Sequence, residues 1–418
     1  MGKEVDLLVN YPKANRNVKA RGLEKTEKDR EIARKFGTPS YCYSLNKLKL
    51  NIRNFKKYFI SINPLLCFSV KSNSNFQILK EINKMGMGAD VVSKGELTMA
   101  LKAGISPKKI VFSGVGKTFD ELKFAIDKNI LLINSESESE INQIKKISKI
   151  KNKKIDIGIR LNPNIDSKTL KKISTGKKED KFGLTEINFL KAINKFKNSK
   201  YLNIRCLSVH IGSQITDHKP YAKMLKVIGS VIKKSNHNFD FVDLGGGMGI
   251  KYNKETKKLD YKKYNSIIKN FLNKYRTKII FEPGRSIIGD TALLLTRVLY
   301  IKKTSKINFV ILDAAMNDLM RPALYGAKHK IIASIKNKKM IRKKHEFVGP
   351  ICETTDKFLS VPKFQTLREK DILAICDVGA YGMVLSSNYN LRTKPSEILI
   401  NKSSLKIITK RQKLNNII

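Results

Sequence analysis

Cysteine is scarce and widely spaced in this sequence, which limits the kinds of site it can build. The 418 residues include five cysteines, an odd number, and no CxxC pair occurs. A disulfide framework and a thiolate zinc site are therefore disfavoured, no metal is expected, and a reducing cytoplasm is the predicted setting. Four cysteines have apolar neighbours and are expected to be small core residues: Cys42, Cys67, Cys206 and Cys376.

Long apolar runs are also missing. No stretch of about 18 uninterrupted apolar residues occurs, so no membrane-spanning helix is expected. The segment from Met1 to Lys13 is charged and lacks the apolar centre of a signal peptide. The sequence therefore predicts a protein without a membrane partner.

Acidic residues are few. Asp and Glu number 36 against 83 Lys and Arg, which gives a formal net charge of +47. Such a charge often indicates a nucleic-acid partner. Here the basic residues are mostly Lys and are spread along the whole chain, which indicates a compositional bias. We therefore expect no nucleic-acid partner, although the charge should attract anionic ligands at low salt.

Both glycine-rich nucleotide fingerprints are incomplete. The turn from Gly245 to Gly249 follows an apolar run, but Ile250 replaces the final glycine of a dinucleotide-binding motif. The segment from Ser113 to Thr118 resembles a P-loop, but Val111 stands where its first glycine belongs. NAD binding and ATPase activity are therefore disfavoured, while the first turn could still approach a phosphate.

Short apolar runs alternate with amphipathic segments over much of the chain, a rhythm typical of repeated βα units with a parallel sheet. Seven or eight such units favour a closed (β/α)8 barrel. We place it at residues 38–286. The expected strands are Leu65–Val70, Ile110–Phe112, Leu131–Ile133, Ile155–Leu161, Cys206–Ile211, Phe239–Leu244 and Lys278–Phe281.

After Pro283 and Gly284 the pattern changes to strands without regular helices between them. Residues 287–418 are therefore predicted to form a separate β domain. The expected fold class is α/β plus β.

Three chemically distinctive side chains follow predicted barrel strands. Lys71 directly ends an apolar strand, where a desolvated amine can form a Schiff base. His210 ends another and could present a flat ring to a planar cofactor. Glu282 ends a third, where a carboxylate needs a partner such as a protonated pyridine nitrogen. A solvent-exposed lysine, a core histidine and an ordinary ion pair with Arg285 are the alternatives.

Six motifs then occur in order: HIGSQ at 210, GGG at 245, EPGR at 282, RPALY at 321, CETTD at 352 and GAYG at 379. In this order they resemble the fold-type III decarboxylases that use pyridoxal 5′-phosphate (PLP), and within them the diaminopimelate decarboxylase family. The similarity extends from about Gly37 to Arg392. The departures, FSVKSNS around the lysine and CETTD for the commoner CES, leave every proposed reacting group in place.

The resemblance implies an alanine-racemase-like (β/α)8 barrel with a C-terminal β-sandwich or Greek-key domain, which residues 1–37 join. It also implies a homodimer with shared active sites, in which Cys352 and Glu353 of one subunit face Lys71 of the other. Lys71 would carry PLP, Glu282 would hold its pyridine nitrogen, His210 would stack on the ring, and Cys352 would protonate the carbon that loses CO2. The remaining implied PLP-binding residues are Asp90, Ser213, Gly245, Gly246, Gly247, Pro283, Gly284, Arg285 and Tyr381.

The same resemblance implies that Arg285, Arg321, Tyr325, Glu353 and Tyr381 bind the substrate. Arginines suit a distal carboxylate through bidentate geometry, and Glu353 suits a distal ammonium. The predicted reaction is therefore decarboxylation of meso-2,6-diaminopimelate to L-lysine and CO2, the last step of lysine biosynthesis.

Two alternatives remain open from the sequence. The chain could be another fold-type III decarboxylase acting on carboxynorspermidine, ornithine or arginine, although an ornithine-type decarboxylase would have no need for Arg321. It could also be a catalytically silent protein that binds PLP or a polyanion. Alanine racemase is disfavoured by Glu282 and Cys352, since that enzyme pairs the pyridine nitrogen with an arginine and uses a tyrosine as its second base.

Overall fold

The computed structural model describes residues 21–167, 175–177, 179–253, 256–335 and 339–418, so the segment tested for a signal peptide lies outside the described residues. None of the helices in these ranges combines the length and apolarity that crossing a bilayer requires. The helices are α1 Arg21–Phe36, α2 Leu45–Phe59, α3 Phe76–Lys84, α4 Lys94–Lys102, α5 Phe119–Asp127, α6 Glu138–Ile150, α7 Glu186–Phe196, α8 Lys219–Ser235, α9 Tyr261–Leu272, α10 Arg285–Ile288 and α11 Arg321–Tyr325.

The strands fall into a parallel barrel and a mixed sheet. The first nine strands are β1 Ser40–Ser44, β2 Leu65–Ser69, β3 Gly88–Val91, β4 Ile110–Phe112, β5 Leu132–Ser135, β6 Ile155–Arg160, β7 Leu202–Ser208, β8 Phe241–Asp243 and β9 Lys278–Phe281. The others are β10 Ala292–Lys303, β11 Ile307–Leu312, β12 Ile331–Ala333, β13 Met340–Ile341, β14 Lys344–Val348, β15 Lys357–Val361, β16 Phe364–Gln365, β17 Ile372–Cys376, β18 Ser396–Asn401 and β19 Ser404–Thr409.

Strands β2 to β9 close into an eight-stranded barrel in which every neighbouring pair is parallel. This confirms the predicted (β/α)8 fold. The barrel belongs to a compact unit of residues 52–251 and 256–287, which we call the barrel unit. Because all eight strands run the same way, their carboxyl ends meet at one face, where the active-site groups of such barrels collect.

Alternation along the strands decides which side chains enter the barrel. Cys67, Cys206 and Ile280 belong to one buried cluster, to which β4 and β5 also contribute. The next residue along β9, Phe281, instead packs its ring 4.8 Å from that of Phe59 in α2. Since successive strand side chains point to opposite faces, Glu282 lies on the same side as Ile280.

Strand β3 is the barrel strand that the sequence did not predict. It has only four residues, GADV, too few apolar positions to give a strand pattern. A Cβ at Gly88 would lie 2.0 Å from the carbonyl oxygen of Lys109, so glycine is required by the close approach of the chain leading into β4. A steric requirement of this kind depends on the neighbouring segment of the fold and leaves no periodic signal in the sequence.

The other described residues form a second compact unit, which we call the sheet unit. It contains a nine-stranded mixed sheet with the order β15-β14-β11-β10-β1-β18-β19. Strand β17 branches from this order by pairing with β10, and β12 pairs with β17. The separate β domain is thus confirmed, and its strands form one branched sheet beside the small β13-β16 pair. The branch lies in β10, whose register shifts between Val298 and Tyr300.

The boundary between the two domains lies later than residue 38. Strand β1 pairs with β10 and β18, so Ser40–Ser44 belongs to the mixed sheet and the barrel begins with β2. Cys42 of β1 and Cys376 of β17 are buried in a core that Ile32 of α1 also enters. With Cys67 and Cys206 in the barrel interior, all four cysteines expected in the core are buried, and Cys352 is exposed.

Candidate active site

Eight polar side chains, one contributed by each strand, form a ring at the carboxyl ends of the barrel strands. We call these eight side chains the barrel ring. Hydrogen bonds join three pairs of these side chains, Lys71 with Asp90, Ser113 with Glu282 and Asn134 with Asp243, and Arg160 donates to the backbone carbonyl oxygen of His210. Lys71, Asp90, Ser113 and Asn134 come from β2 to β5, and Arg160, His210, Asp243 and Glu282 come from β6 to β9.

Lys71 lies in a short 3-10 turn that follows β2, and its ammonium pairs with the carboxylate of Asp90. Lys71 Nζ is 3.0 Å from Asp90 Oδ2, which also accepts a hydrogen bond from Ser69 Oγ at 2.8 Å. Asp90 is fully buried, and its second oxygen, Oδ1, has no hydrogen-bond partner within the described residues. Asp90 therefore holds the lysine through one oxygen and keeps a second, buried oxygen as an unused acceptor.

Glu282 and Asp243 form a buried pair of carboxyl groups. Burial raises the pKa of Glu282 well above its ordinary value, and the nearby charges of Asp243 and Asp90 raise it further. A hydrogen bond between the two carboxyls raises the pKa of Glu282 and lowers that of Asp243, although burial still raises the Asp243 pKa overall. Ser113 Oγ donates to Glu282 Oε1 at 3.2 Å. A cation placed beside Glu282 would lower the pKa of this carboxyl and favour its ionised form.

His210 is held as a neutral imidazole. Burial lowers its pKa well below the usual value, and the positive charges of Arg160 and Lys71 lower it further. The Gly246 N–H donates to His210 Nδ1 at 3.1 Å, so Nδ1 is the acceptor and Nε2 carries the proton. The ring can therefore lie against an apolar or cationic planar group without charge repulsion.

The glycine turn after β8 has no room for side chains. A Cβ at Gly245 would lie 2.6 Å from His210 Nδ1, and one at Gly246 would lie 2.2 Å from the Glu282 carbonyl oxygen. Gly247 has φ +86°, and a Cβ there would lie 2.3 Å from the Gly212 carbonyl oxygen. The bare backbone can therefore approach a phosphate closely, as such turns do elsewhere.

Ser213 and Arg285 meet at the same face, where Arg285 Nη2 donates to Ser213 Oγ at 3.0 Å. Pro283 and Gly284 join Glu282 to Arg285, and a Cβ at Gly284 would lie 2.8 Å from Ser72 Oγ. The EPGR turn therefore packs directly against the turn that carries the lysine.

Arg321 lies in the sheet unit and is buried. Its Nη1 is 2.8 Å from His329 Nε2, and its guanidinium lies over the ring of Tyr252, 4.9 Å from the centroid. Tyr325, at the end of the same helix, and Tyr381, with φ +55°, are both half-buried.

Cys352 and Glu353 are exposed in a loop of the sheet unit. Asp356 closes this loop, since its carboxylate accepts the Ile351 N–H at 2.8 Å. Glu353 accepts a hydrogen bond from Tyr389 Oη, which lowers the pKa of Glu353, and a second from Thr355 lowers it further. The carboxylate is thus kept ionised and oriented.

The P-loop-like segment has a structural role instead. The ammonium of Lys117 is buried and contacts Gly114 O at 2.6 Å, Asn134 O at 2.8 Å and Glu140 Oε1 at 2.7 Å. Thr118 caps α5 through a capping box with Glu121. With its lysine directed inward, this segment has no cation to offer a nucleotide.

Several polar groups of the ring were not predicted from the sequence. Asp243 and Arg160 each end a buried strand, so a charged residue at a strand end was a usable signal for both. Ser113 and Asn134 are common polar residues with no such signal. His329 and Tyr389 are likewise identified only by their contacts with Arg321 and Glu353.

The barrel ring fits PLP. Lys71 would supply an amine for the aldehyde of PLP, and Glu282 is a buried acid that would pair with the ring nitrogen. The Gly245–Gly247 turn, together with Ser213 and Arg285, offers backbone and side-chain donors to a phosphate. Three groups of the cofactor thus have chemically matched partners in one unit of the chain.

The chain is similar to known proteins over nearly its whole length. The family described as "Pyridoxal-dependent decarboxylase, pyridoxal binding domain" matches residues 45–289. Diaminopimelate decarboxylase of Aquifex aeolicus is 40% identical over an alignment of 396 residues that covers 93% of each chain.

Solved structures agree with these sequence similarities. Diaminopimelate decarboxylase from Helicobacter pylori complexed with L-lysine superposes with a TM-score of 0.89 at 39% identity, covering 93% of this chain and 98% of that one. The enzyme from M. jannaschii in co-complex with L-lysine gives 0.87 at 35% identity, covering 93% and 92%. The chain therefore belongs to the pyridoxal-dependent decarboxylases and, within them, to the diaminopimelate decarboxylase family.

Proposed function

We propose that this protein is a PLP-dependent carboxy-lyase that converts meso-2,6-diaminopimelate to L-lysine and CO2, the last step of lysine biosynthesis. The observation that carries the proposal is the paired arrangement of Lys71 with Asp90 and of Glu282 with Asp243 in one barrel ring. The similarity to diaminopimelate decarboxylases over 93% of the chain supports the choice of substrate.

The barrel ring would bind the cofactor and control the protonation of its ring nitrogen. When bound, PLP supplies an electron sink for the electron pair left by departing CO2. Lys71 would form the covalent link to PLP, and Asp90 would orient its amine. Glu282, ionised beside the ring nitrogen, would keep a proton on that nitrogen. His210, neutral and fixed at Nδ1 by the Gly246 N–H, supports one face of the ring.

The family resemblance supplies the remaining PLP contacts. Ser213, the Gly245–Gly247 turn, Pro283–Gly284 and Tyr381 would hold the phosphate. Arg285 would lie between the phosphate and the substrate, because its guanidinium already contacts Ser213 Oγ.

The sheet unit supplies groups that match the distal end of diaminopimelate. That end carries a carboxylate and an ammonium. Arg321 provides a buried guanidinium for the carboxylate. Tyr325 and Tyr381 would lie beside the carbon chain of the bound substrate. Glu353, whose pKa is lowered by Tyr389, provides an ionised carboxylate for the ammonium.

The proposal includes a cytoplasmic homodimer with two shared sites. Cys352 and Glu353 would reach the Lys71 of the partner subunit, and Cys352 Sγ would return a proton to the carbon that has lost CO2. Its exposure in the described chain leaves the thiol accessible to such a partner. A reducing cytoplasm would keep that thiol free to act as an acid.

The first test is to incubate the purified protein with PLP and meso-diaminopimelate and to measure CO2 and L-lysine. Both products should form in equal amounts, and borohydride, which fixes PLP on Lys71, should abolish them. A Lys71→Ala variant is the matched control and should lack the visible absorbance of lysine-linked PLP. Turnover of ornithine, arginine or carboxynorspermidine without turnover of diaminopimelate would reassign the substrate.

A further inference from the structure

His329 is a buried histidine that the proposed mechanism does not use. It is 1% exposed, and both of its ring nitrogens have partners. Nδ1 is 2.8 Å from the carbonyl oxygen of Cys376, and Nε2 is 2.8 Å from Arg321 Nη1. A histidine with both nitrogens engaged inside one unit of the chain is held in a single orientation.

The two partners together fix the tautomer of His329. A carbonyl oxygen only accepts hydrogen bonds, so Nδ1 must carry the proton that is donated to Cys376. A guanidinium only donates, so Nε2 must be the acceptor for Arg321. His329 is therefore neutral in this arrangement, and it holds the guanidinium without neutralising its charge.

Tyr252 contacts the face of the Arg321 guanidinium. The guanidinium of Arg321 lies over the Tyr252 ring at 4.9 Å from the centroid, and the His329 ring meets Tyr252 edge-on at 5.4 Å and 80°. One hydrogen bond in the guanidinium plane and one aromatic face beneath it define how that plane is oriented. Bidentate binding of a carboxylate requires a defined guanidinium plane.

We propose that His329, together with Tyr252, is a positioning residue that sets the guanidinium plane of Arg321 and so determines recognition of the distal carboxylate. This inference rests on the proposed function, because it assigns Arg321 to that carboxylate. A carboxylate in place of His329 would hold the arginine equally well but would compete with the substrate for its charge.

Two ligands isolate the contribution of the carboxylate. L-lysine, the expected product, keeps the distal carboxylate of the substrate, whereas cadaverine differs from L-lysine only by lacking it. The ratio of their inhibition constants therefore reports carboxylate recognition. General damage to the site would weaken both ligands and leave the ratio unchanged.

Two variants separate the two hydrogen bonds of His329. In His329→Asn the amide nitrogen can replace Nδ1 and keep the bond to Cys376, but the acceptor for Arg321 is lost. In His329→Gln the longer side chain places a carbonyl oxygen near the Nε2 position, so the acceptor is kept. The Asn variant should lose about tenfold or more of the preference for L-lysine over cadaverine, and the Gln variant should retain most of it.

A double variant tests whether His329 acts through Arg321. In an Arg321→Met background, His329→Asn should not change the inhibition ratio further. If His329→Asn fails to fold, Tyr252→Leu carries the same expectation, since it removes the face beneath the guanidinium.

An unchanged ratio in a folded His329→Asn or Tyr252→Leu variant would overturn the positioning role while wild-type turnover of diaminopimelate still stands. Failure of the wild-type protein to turn over diaminopimelate would overturn the proposed function itself. Equal losses in the Asn and Gln variants would also count against the positioning role, because they would indicate a purely structural one.

Discussion

At the scale of single residues, the protonation states of buried groups prepare the barrel ring for a cationic cofactor ring. Burial is the largest cause of the raised pKa of Glu282, and the charge of Asp243 raises it further, so the neutral form of the Glu282 carboxyl is favoured. A protonated ring nitrogen next to Glu282 would favour the ionised form instead, as one member of an ion pair. Glu282 would thus be neutral without the cofactor and paired with the ring nitrogen when the cofactor is bound. Neither state leaves its charge buried without a partner.

Replacing Glu282 with Gln tests this exchange. The amide keeps the shape of the side chain but cannot ionise, so the ring nitrogen loses the partner that keeps it protonated. We expect kcat to fall by about 100- to 1,000-fold, the usual cost of removing one preorganised electrostatic group. PLP absorbance should remain, and steady-state kinetics with diaminopimelate would measure the loss.

Glu96→Gln is the matched control for that experiment. Glu96 is another largely buried carboxyl whose pKa is raised, to about 7, mainly by burial, and Asp90 raises it further. It accepts the Val92 N–H and lies outside the ring of eight side chains. Its variant should keep kcat near the wild-type value; an equal loss in both variants would contradict the specific role of Glu282.

The neutral state of His210 predicts a dependence of stability on pH. Its pKa in the folded chain is well below 6.5, chiefly through burial, whereas an unfolded chain would titrate near about 6.5. Between these two values the unfolded chain binds a proton that the folded chain does not, so stability falls as the pH is lowered from about 6.5. The slope from this residue should be at most about 1.4 kcal/mol per pH unit.

Urea unfolding between pH 5 and 8 would measure this slope. His210→Asn keeps an acceptor for the Gly246 N–H but has no titrating group, so its unfolding free energy should vary less below pH 6.5. Identical pH profiles for the two proteins would indicate that His210 does not titrate differently in the folded chain.

Several site residues could be predicted because each has a local signal. Lys71 and Glu282 are charged residues that follow buried strands, and the glycines after β8 form a compact run. His329, by contrast, is an isolated histidine between two lysines, and its importance comes only from the contact with Arg321. Contacts between distant side chains leave no pattern in a single sequence.

At the scale of elements, regular amphipathic helices were predicted well. The amphipathic segments expected between the barrel strands are helices in the structure, and in Glu138–Ile150, for example, Ile141, Ile144 and Ile147 mark one buried face. Strand β1 was not predicted as a separate element, since all five of its residues are buried and show no alternation. Strands without alternation depend on partners that the sequence does not reveal.

The segment between β4 and α5 gives a prediction at this scale. Lys117→Met removes the cation that pairs with buried Glu140 and leaves an uncompensated carboxyl, whose pKa burial already raises. We expect a loss of about 3–5 kcal/mol in unfolding free energy. Chemical denaturation would measure it, and PLP binding by the folded fraction should persist.

The double variant Lys117→Met with Glu140→Leu is the control. Replacing both charges with apolar side chains should recover much of the stability, because no buried charge remains. A loss as large as in the single variant would indicate that the backbone contacts of Lys117, to Gly114 and Asn134, are what stabilises this turn.

At the scale of the whole molecule, the proposed chemistry is divided between two units of the chain. Lys71, Glu282 and His210 lie in the barrel unit, and Cys352 and Arg321 lie in the sheet unit. In a dimer with shared sites, each site would draw Lys71 from one subunit and Cys352 from the other. Such a division makes activity a property of the assembly, which subunit mixing can test.

Lys71→Ala and Cys352→Ala are the variants for that experiment, since each alone should have little activity. In a mixed dimer, one shared site would carry both substitutions and the other would be intact. After equal amounts are dissociated and reassembled at random, half of the dimers are mixed, so activity should recover to about a quarter of the wild-type value. If every site instead used Lys71 and Cys352 of the same subunit, no mixture could contain an intact site, and the activity would stay at the level of the separate variants.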